Sequence, residues 1–434
     1  MNTSSPFSTP RPVTRADCAA EDARDPLAPL RAQFALDRID ADRIIYLDGN
    51  SLGVLPKAAI SRLREVVEME WGVGLIRSWN SAGWIDLSQR IGDKIGRLIG
   101  AGPGEISVAD STSVNLFKAL SAGVEMNRGR SRILSERNNF PTDLYIAETF
   151  ARDRGLELTL VDHDQIMSHL DDRTAILLLT HASYRTGRMY DMASVTRAAH
   201  DKGVVTIWDL AHTAGSVPVD LNGARADIAV GCGYKYLNGG PGAAAFIWVR
   251  PDHVARMDRD RWRQPLSGWL GHAAPFAFSP TYEPAAGMAR FICGTPPVLS
   301  MAALECGVDS LLAAEPTGGM TAIRAKSIAL TDLFMRLVDD RCANHGFTIV
   351  TPRDPEQRGS QVSISTNEDG YAIIQALIAK GVIGDFRPPD ILRFGFTPLY
   401  TRFVDVWDAA DRLSAVMTSG EWRDQRFAVR AAVT

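Results

Sequence analysis

Residues 204–242 read VVTIWDLAHTAGSVPVDLNGARADIAVGCGYKYLNGGPG, and this stretch decides the fold. It contains two short apolar runs, at 204–208 and 228–231, and polar or glycine residues follow each run. Short apolar runs rich in valine and isoleucine are typical of strands buried on both faces of a parallel sheet. Because such sheets bind ligands at the carboxyl ends of their strands, the residues that follow the two runs are candidates for a binding site.

The same pattern extends over residues 106–250, where apolar runs alternate with amphipathic stretches. This alternation predicts an α/β domain whose mainly parallel, seven-stranded sheet is flanked by helices. Besides the two runs above, the predicted strands are 106–109, 132–135, 156–161, 175–180 and 244–249.

The chain outside this sheet shows longer helical patterns and a second, smaller α+β unit. Helices are predicted at 58–71, 300–312 and 321–340. In the smaller unit the predicted strands are 348–350, 361–365 and 391–395, and the predicted helices are 371–380 and 404–416. We therefore expect a partly disordered N-terminal extension over residues 1–40, a large domain over 41–320 and a small C-terminal domain over 321–434.

The composition restricts the class of partner. Forty-seven basic and fifty-one acidic side chains give a net charge of -4, so the basic surface that nucleic acids or anionic membranes require is not indicated. No apolar run approaches the roughly 18 residues that span a bilayer. The five cysteines form no CxxC pair and the histidines show no metal-ligand spacing. These features predict a cytoplasmic protein without a metal that acts on a small molecule.

Asp209 ends the first quoted run, and a carboxylate there is costly to bury unless it has a partner. One such partner is a protonated pyridine nitrogen. The pyridinium that the carboxylate maintains is the electron sink of pyridoxal phosphate (PLP) chemistry. The alternative is that Asp209 only caps the next helix.

Lys235 follows the second quoted run, between Tyr234 and Tyr236 and ahead of a glycine cluster that ends at Gly242. Formation of a Schiff base needs a free amine, and partial desolvation beside aromatic rings favours the neutral form. The glycines let the backbone approach a ligand. An ordinary surface lysine is the alternative.

Three other places carry weaker signals. Thr112 and Ser113 begin a helical pattern, where hydroxyl groups either cap the helix or help it to bind phosphate. Phe140 either packs in the core or offers a face to a planar ring. Arg393 lies in a predicted strand, either at the surface or as a bidentate partner for a carboxylate.

The order and spacing of Asp209, His212, Tyr234 and Lys235 resemble those of the fold-type I PLP enzymes of the aminotransferase class V group. Within that group the chain resembles the kynureninase family. The resemblance rests on residues 47–53 (LDGNSLG), 113–116 (SVNL), 140–143 (FPTD), 234–238 (YKYLN), 268–272 (GWLGH) and 398–400 (PLY).

This resemblance implies a role for each matching residue in binding PLP. Lys235 would carry the cofactor, Asp209 would pair with its ring nitrogen, and Tyr234 would bind the phosphate and help proton transfer. The other residues implied to bind the cofactor are Thr112, Ser113, Phe140, Pro141, Thr142, Asp143, Thr180 and His212. Trp269 and Thr295 would complete the phosphate site of a second subunit, which would make a homodimer necessary for activity.

The reaction that the resemblance implies is hydrolysis of the Cβ–Cγ bond of L-kynurenine to anthranilate and L-alanine. Arg393 would hold the substrate α-carboxylate, and Asn50, Trp79 and Trp84 are candidates for the aryl pocket, with core packing as the alternative for the tryptophans. Some family members carry Asn at the position of Thr295, so we expect 3-hydroxykynurenine to be the poorer substrate.

Two alternatives stay open at this point. A cysteine desulfurase or selenocysteine lyase would need a nucleophilic cysteine late in the chain, for which Cys342 is the candidate. A protein that binds PLP without catalysis is the second alternative. The joint presence of Lys235, Asp209, Tyr234 and Arg393 disfavours it.

Overall fold

The computed structural model describes Phe7 and residues 11–430. It divides into two compact units. The large unit consists of residues 58–183 and 190–309, and the small unit consists of the described residues up to Lys57, 184–189 and 310–430. Part of the predicted N-terminal disorder, over residues 1–6 and 8–10, lies outside the described residues.

The large unit contains a seven-stranded sheet. In spatial order its strands are Ile106–Val108, Phe246–Val249, Ile228–Gly231, Val205–Asp209, Thr174–Thr180, Arg132–Glu136 and Glu157–Val161. Phe246–Val249 is antiparallel to both of its neighbours, and the other neighbouring pairs are parallel. The prediction of a mainly parallel seven-stranded sheet is confirmed, because buried strands of this kind are read from local apolar runs.

Helices Leu87–Ile99, Thr112–Met126, Pro141–Arg154 and Met192–Asp201 pack on this sheet. The unit also contains helices Ser78–Ser81 and Pro251–Arg259, and helices Lys57–Glu65 and Val298–Leu312 lie at its boundaries. Leu116 and Leu120 of one helix and Phe150 of another pack with Ile176 and Ile207 of the strands. The helix predicted at 58–71 differs from the structure, because the chain is π-helical over Val66–Gly74.

The small unit holds two sheets. The strands Asp385–Arg387, Ile391–Gly395, Gln361–Ser365 and Thr348–Ile349 form an antiparallel sheet in this order. Ile45–Tyr46 pairs in parallel with Val382–Ile383. The helices of this unit are Arg15–Asp22, Asp37–Ala41, Gly319–Cys342, Gly370–Ala379 and Phe403–Ser419.

The N-terminal segment belongs to the small unit, which differs from the predicted extension and large domain. Helix Arg15–Asp22 packs on helix Phe403–Ser419, and Asp22 accepts a hydrogen bond from the backbone N–H of Phe403 at 2.7 Å. These contacts join parts of the chain about as far apart as the sequence allows, so local patterns do not indicate them. Within the described part of the chain, no helix is long and apolar enough to cross a membrane.

Candidate active site

A cavity of about 250 Å³ lies at the carboxyl ends of strands in the large unit. Its lining consists of Thr112, Ser113, Phe140, Thr142, Asp143, Thr180, Asp209, Ala211, His212, Tyr234 and Lys235. The residues predicted to bind the cofactor are therefore brought together here, except for Pro141, Trp269 and Thr295. Parallel strands end at a common edge, which is why residues far apart in sequence meet at this place.

Lys235 presents its amine to this cavity. The Nζ atom lies 3.0 Å from Nε2 of His212. It also lies 5.7 Å from the ring centroid of Phe140 and 5.8 Å from that of Tyr234. An amine between aromatic faces and an imidazole is partly removed from water, which suits a group that must form an imine with an aldehyde.

Asp143 and Asp209, which also line this cavity, carry two buried carboxyl groups. Burial raises the pKa of Asp209, and the charge of Lys235 opposes this rise. Burial also raises the pKa of Asp143 well above its usual value, and the like charge of Asp209 raises it further. The backbone N–H of Ala211 donates to Asp209 at 2.7 Å, which fixes that carboxylate. Such a pair favours a positively charged hydrogen-bond donor, and a protonated pyridine nitrogen is one.

The first turn of helix Thr112–Met126 offers a site for an anion. Ser111 caps this helix, since its Oγ accepts the N–H of Val114 at 3.3 Å. The Thr112 hydroxyl is buried and has no hydrogen-bond partner among the described residues. A helix N-terminus with a free hydroxyl group suits a phosphate. An amine, a buried carboxyl pair, an aromatic face and this phosphate end together fit PLP.

Asn139 is a residue of this site that the sequence analysis missed. It accepts hydrogen bonds from the Thr180 hydroxyl and, at 2.7 Å, from the backbone N–H of Phe140. Its own amide donates to Ser135 Oγ at 3.1 Å. Asn139 therefore ties the strand end to Phe140 and helps to place the aromatic ring. Its position directly before the FPTD motif was the only signal available.

Trp269 and Thr295 are not among the residues that line the cavity, and both are exposed in the single chain. Trp269 is 39% exposed, and its ring packs edge-on against two other rings. The distance between ring centroids is 6.3 Å to Trp79 and 5.8 Å to Phe276. Trp84 contacts Trp79 and donates from Nε1 to Glu70 at 2.6 Å. The tryptophans thus form one aromatic cluster on the large unit.

Arg393 is buried in the small unit, with 2% of its surface exposed. Its Nε donates to Asp385 at 2.8 Å, its Nη1 to the carbonyl of Tyr184 at 2.8 Å and its Nη2 to the Ser51 hydroxyl at 2.8 Å. Asp385 holds the Nε and Nη2 side of the guanidinium, which fixes its plane. Antiparallel pairing places Asp385 directly opposite Arg393.

Asn50 and Asp48 surround this arginine. With its amide oriented to satisfy both neighbours, Asn50 accepts from Arg393 Nε at 3.0 Å and donates to Asp48 at 3.2 Å. Gly395 gives Asn50 its room, because a Cβ there would lie 2.0 Å from the side-chain amide group. Burial, reinforced by the like charge of Asp385, raises the pKa of Asp48 to about 7. Asn50, predicted for an aryl pocket, thus lies in a polar network around Arg393.

The candidate nucleophile for a desulfurase is placed unfavourably. Cys342 is fully buried at the end of helix Gly319–Cys342. Burial raises the pKa of its thiol to about 11. A thiolate that attacks a substrate needs exposure and a lowered pKa.

Across the described ranges no group of three or more metal-ligating side chains is found, and the expectation of no metal stays a prediction.

Solved structures that resemble this chain include a cysteine desulfurase and a cystine C-S lyase. The cysteine desulfurase CsdA from Escherichia coli superposes with a TM-score of 0.74 over 91% of this chain and 98% of its own, at 18% identity. The cystine C-S lyase C-DES, in complex with cysteine persulfide, gives a TM-score of 0.73 over 86% of this chain and 98% of its own, at 17% identity. Identities this low establish the fold alone, and the fold is that of the fold-type I PLP enzymes.

Sequence relatives are more specific. Residues 323–413 match the family model of the kynureninase C-terminal domain. Kynureninase from Burkholderia pseudomallei is 54% identical over 431 residues, which are 97% of this chain and all of that protein. Kynureninase from Pseudomonas fluorescens is 53% identical over 429 residues, again 97% of this chain and all of the relative. Similarity at this level from end to end is found between members of one family, and the chain belongs to the kynureninase family.

Proposed function

We propose that this protein is a cytoplasmic enzyme of tryptophan degradation that hydrolyses the Cβ–Cγ bond of L-kynurenine to anthranilate and L-alanine. The observation that carries the proposal is the joint placement of Lys235, Asp209 and Thr112 around one cavity, in a chain 54% identical to curated kynureninases. PLP, bound in this cavity, supplies the electron sink that stabilises negative charge on the substrate. The remaining chemistry falls to side chains of the protein.

Lys235 is the proposed attachment point of the cofactor and the base that moves the Cα proton. Its amine lies within hydrogen-bond distance of His212, which would hold it in place while it moves this proton. Asp209 would keep the ring nitrogen protonated, and Asp143 lies against Asp209 as a second buried carboxyl group. Burial raises the pKa of the Tyr234 phenol, so this hydroxyl stays protonated and donates to the phosphate or to a reacting atom.

Cleavage requires water at the γ-carbonyl and a proton at Cβ. Lys235 and Tyr234 are the groups of the large unit that can move these protons, because both line the cavity. Cys342, buried and with a raised thiol pKa, offers no route to a persulfide. The residues available therefore favour hydrolysis of a carbon–carbon bond over desulfuration.

Arg393 is the proposed holder of the substrate α-carboxylate. Asp385 and Ser51 take the Nε and Nη2 side of its guanidinium, while the carbonyl of Tyr184 is the one partner of Nη1 among the described residues. One N–H of Nη1 is then left for a carboxylate oxygen. We further propose L-kynurenine as the preferred substrate over 3-hydroxykynurenine, because Thr295 stands where some family members carry Asn.

We propose that the active form is a homodimer in which Trp269 and Thr295 complete the phosphate site of the partner. The large unit exposes many large apolar side chains, and a monomer rarely does so over one region. The π-helical stretch and its neighbours expose Val67, Met69, Trp71, Val73, Leu75 and Ile76. Phe276 and Phe278, near Trp269 in sequence, are 63% and 81% exposed. A second copy of the chain is the occupant that would cover these side chains.

The function is tested by mixing purified protein with PLP and L-kynurenine and following anthranilate fluorescence. Lys235→Ala serves as the control, and L-cysteine with detection of sulfide serves as the competing substrate. We expect anthranilate from the wild type, none from Lys235→Ala and no sulfide. Release of sulfide without anthranilate would establish the desulfurase alternative, and binding of PLP without either product would establish a non-catalytic protein.

A further inference from the structure

Lys118 is a fully buried lysine in helix Thr112–Met126, less than two turns from the residues proposed to bind phosphate. Its ammonium group donates to Asp110 Oδ2 at 2.5 Å, to the carbonyl of Phe291 at 2.5 Å and to Asn115 Oδ1 at 3.3 Å. An ammonium group has three N–H donors, so these partners use them all. Lys118 therefore cannot bind a ligand itself and must act through its neighbours.

The first neighbour belongs to the phosphate-binding turn. Asp110 has a φ of +53°, in the left-handed region that non-glycine residues rarely adopt. The chain passes from this residue directly into Ser111, Thr112 and Ser113. The bond from Lys118 to the Asp110 carboxylate holds the side chain of a residue whose backbone is strained, and it fixes where the helix begins.

The second neighbour belongs to the segment that ends at Thr295. Lys118 holds the carbonyl of Phe291, two residues before Cys293. Gly268 packs so closely on Cys293 that a Cβ would lie 2.0 Å from the Cys293 carbonyl oxygen. Trp269 follows Gly268 at once. One buried ammonium thus joins the turn at Asp110 to the segments that carry Thr295 and Trp269.

We propose that Lys118 is a positioning residue for the cofactor phosphate. This role rests on the proposed function in one respect, namely that Thr112 and Ser113 bind this phosphate. Lys118 fixes the turn that aims these two residues, and its charge neutralises the Asp110 carboxylate, which would otherwise repel a phosphate dianion nearby. Its loss should weaken the binding of the phosphate end and leave the chemistry at the aldehyde end unchanged.

The test compares PLP with pyridoxal, which lacks the phosphate, in titrations of the apoprotein followed by cofactor absorbance. In Lys118→Met we expect the Kd for PLP to rise about tenfold or more, as for a lost hydrogen bond to a charged group. The Kd for pyridoxal should change less than about twofold, and so should kcat at saturating PLP. Equal weakening of both ligands, or an unchanged Kd for PLP, would overturn the proposal.

A double variant, Asp110→Asn with Lys118→Met, removes the unpaired carboxylate and keeps the test available if Lys118→Met does not fold. Its affinity for PLP should lie between those of Lys118→Met and the wild type, and a wild-type affinity would overturn the positioning role.

Lys326→Met is the matched control. Lys326 is also a buried lysine, bound to Asp25 at 2.6 Å and to the carbonyl of Pro398 at 2.6 Å, but in the small unit. The Lys326→Met variant should be less stable, but the ratio of its affinities for PLP and pyridoxal should not change. Failure of the wild type to bind PLP would instead reject the proposed function.

Discussion

The side chains of Asp143 and Asp209 lie together inside the large unit, where burial and the like charge of Asp209 raise the pKa of the Asp143 carboxyl. Asp209 ends strand Val205–Asp209, and Asp143 lies in the first turn of helix Pro141–Arg154. Two buried carboxyl groups in contact are unfavourable unless a proton or a cation lies with them. The protonated ring nitrogen of PLP is the cation that the proposed function supplies.

Asp209→Asn should retain the cofactor but lose most of its turnover. The amide cannot keep the ring nitrogen protonated, and we expect kcat to fall by about 10²–10³-fold, as on loss of a directed electrostatic contact. Asp143→Asn keeps Asp209, so its kcat should fall much less. Steady-state anthranilate formation, with cofactor content measured by absorbance, checks both. Similar losses in the two variants would contradict the assignment of the ring nitrogen to Asp209.

The stability of the apoprotein should fall as pH rises because of Asp48. Burial raises its pKa from 3.8 to about 7, so the folded protein binds this proton more tightly than the unfolded chain does. Its contribution is complete below the unfolded pKa and is lost toward pH 7, by about 1.4 kcal/mol per pH unit. The free energy of unfolding of Asp48→Asn, measured with urea across this pH range, should depend less steeply on pH than that of the wild type.

Asp40→Asn is the control for this experiment. A hydrogen bond from Arg31 lowers the pKa of Asp40, so this group is ionised in both states through the same pH range. Its replacement should shift stability by a constant amount and leave the slope unchanged. An identical slope in Asp48→Asn and the wild type would show that Asp48 does not titrate in the folded protein.

Arg393→Lys should weaken substrate binding. A lysine cannot keep the contacts to Asp385 and Ser51 while presenting a fixed donor, so we expect kcat/KM to fall by about 100-fold, mainly through KM. Arg387→Lys is the comparison, because Arg387 also contacts Asp385, at 2.6 Å, but is more exposed. A fall in kcat at unchanged KM for Arg393→Lys would argue against the carboxylate role.

Mixing two inactive variants should restore activity if Trp269 acts on the partner subunit. In a mixed dimer of Lys235→Ala and Trp269→Ala, one of the two sites receives an intact lysine and an intact tryptophan. After random exchange of subunits about half of the dimers are mixed, and each mixed dimer has one intact site of two. We therefore expect about a quarter of wild-type activity. Activity that stays at the level of the separate variants would place Trp269 in its own subunit's chemistry.

The sequence was sufficient for the parts of the molecule that local patterns encode. The buried strands are continuous apolar runs, and parallel strands end at one edge, so the sequence alone assigns Asp209 and Lys235 to one site. The pairing of Asp143 with Asp209 is different in kind. It depends on how helix Pro141–Arg154 packs on the sheet, and neither residue's neighbours indicate it.

The surroundings of Arg393 were also beyond local patterns. The strand Asp385–Arg387 is only three residues long, and its register places Asp385 opposite Arg393. Asn50 reaches the same arginine from the start of the chain. The membership of the N-terminal segment in the small unit follows from long-range contacts of the same type. Short strands and distant pairings are fixed by tertiary structure, which a one-dimensional pattern does not carry.

The most direct measurement identifies the lysine that carries the cofactor. Borohydride reduction of the PLP-loaded protein fixes the cofactor on its lysine, and peptide mass spectrometry then locates it. We expect the label on Lys235 alone, in the peptide that also contains Tyr234. Label on any other lysine, or stable labelling of the Lys235→Ala variant to the wild-type extent, would contradict the site described above.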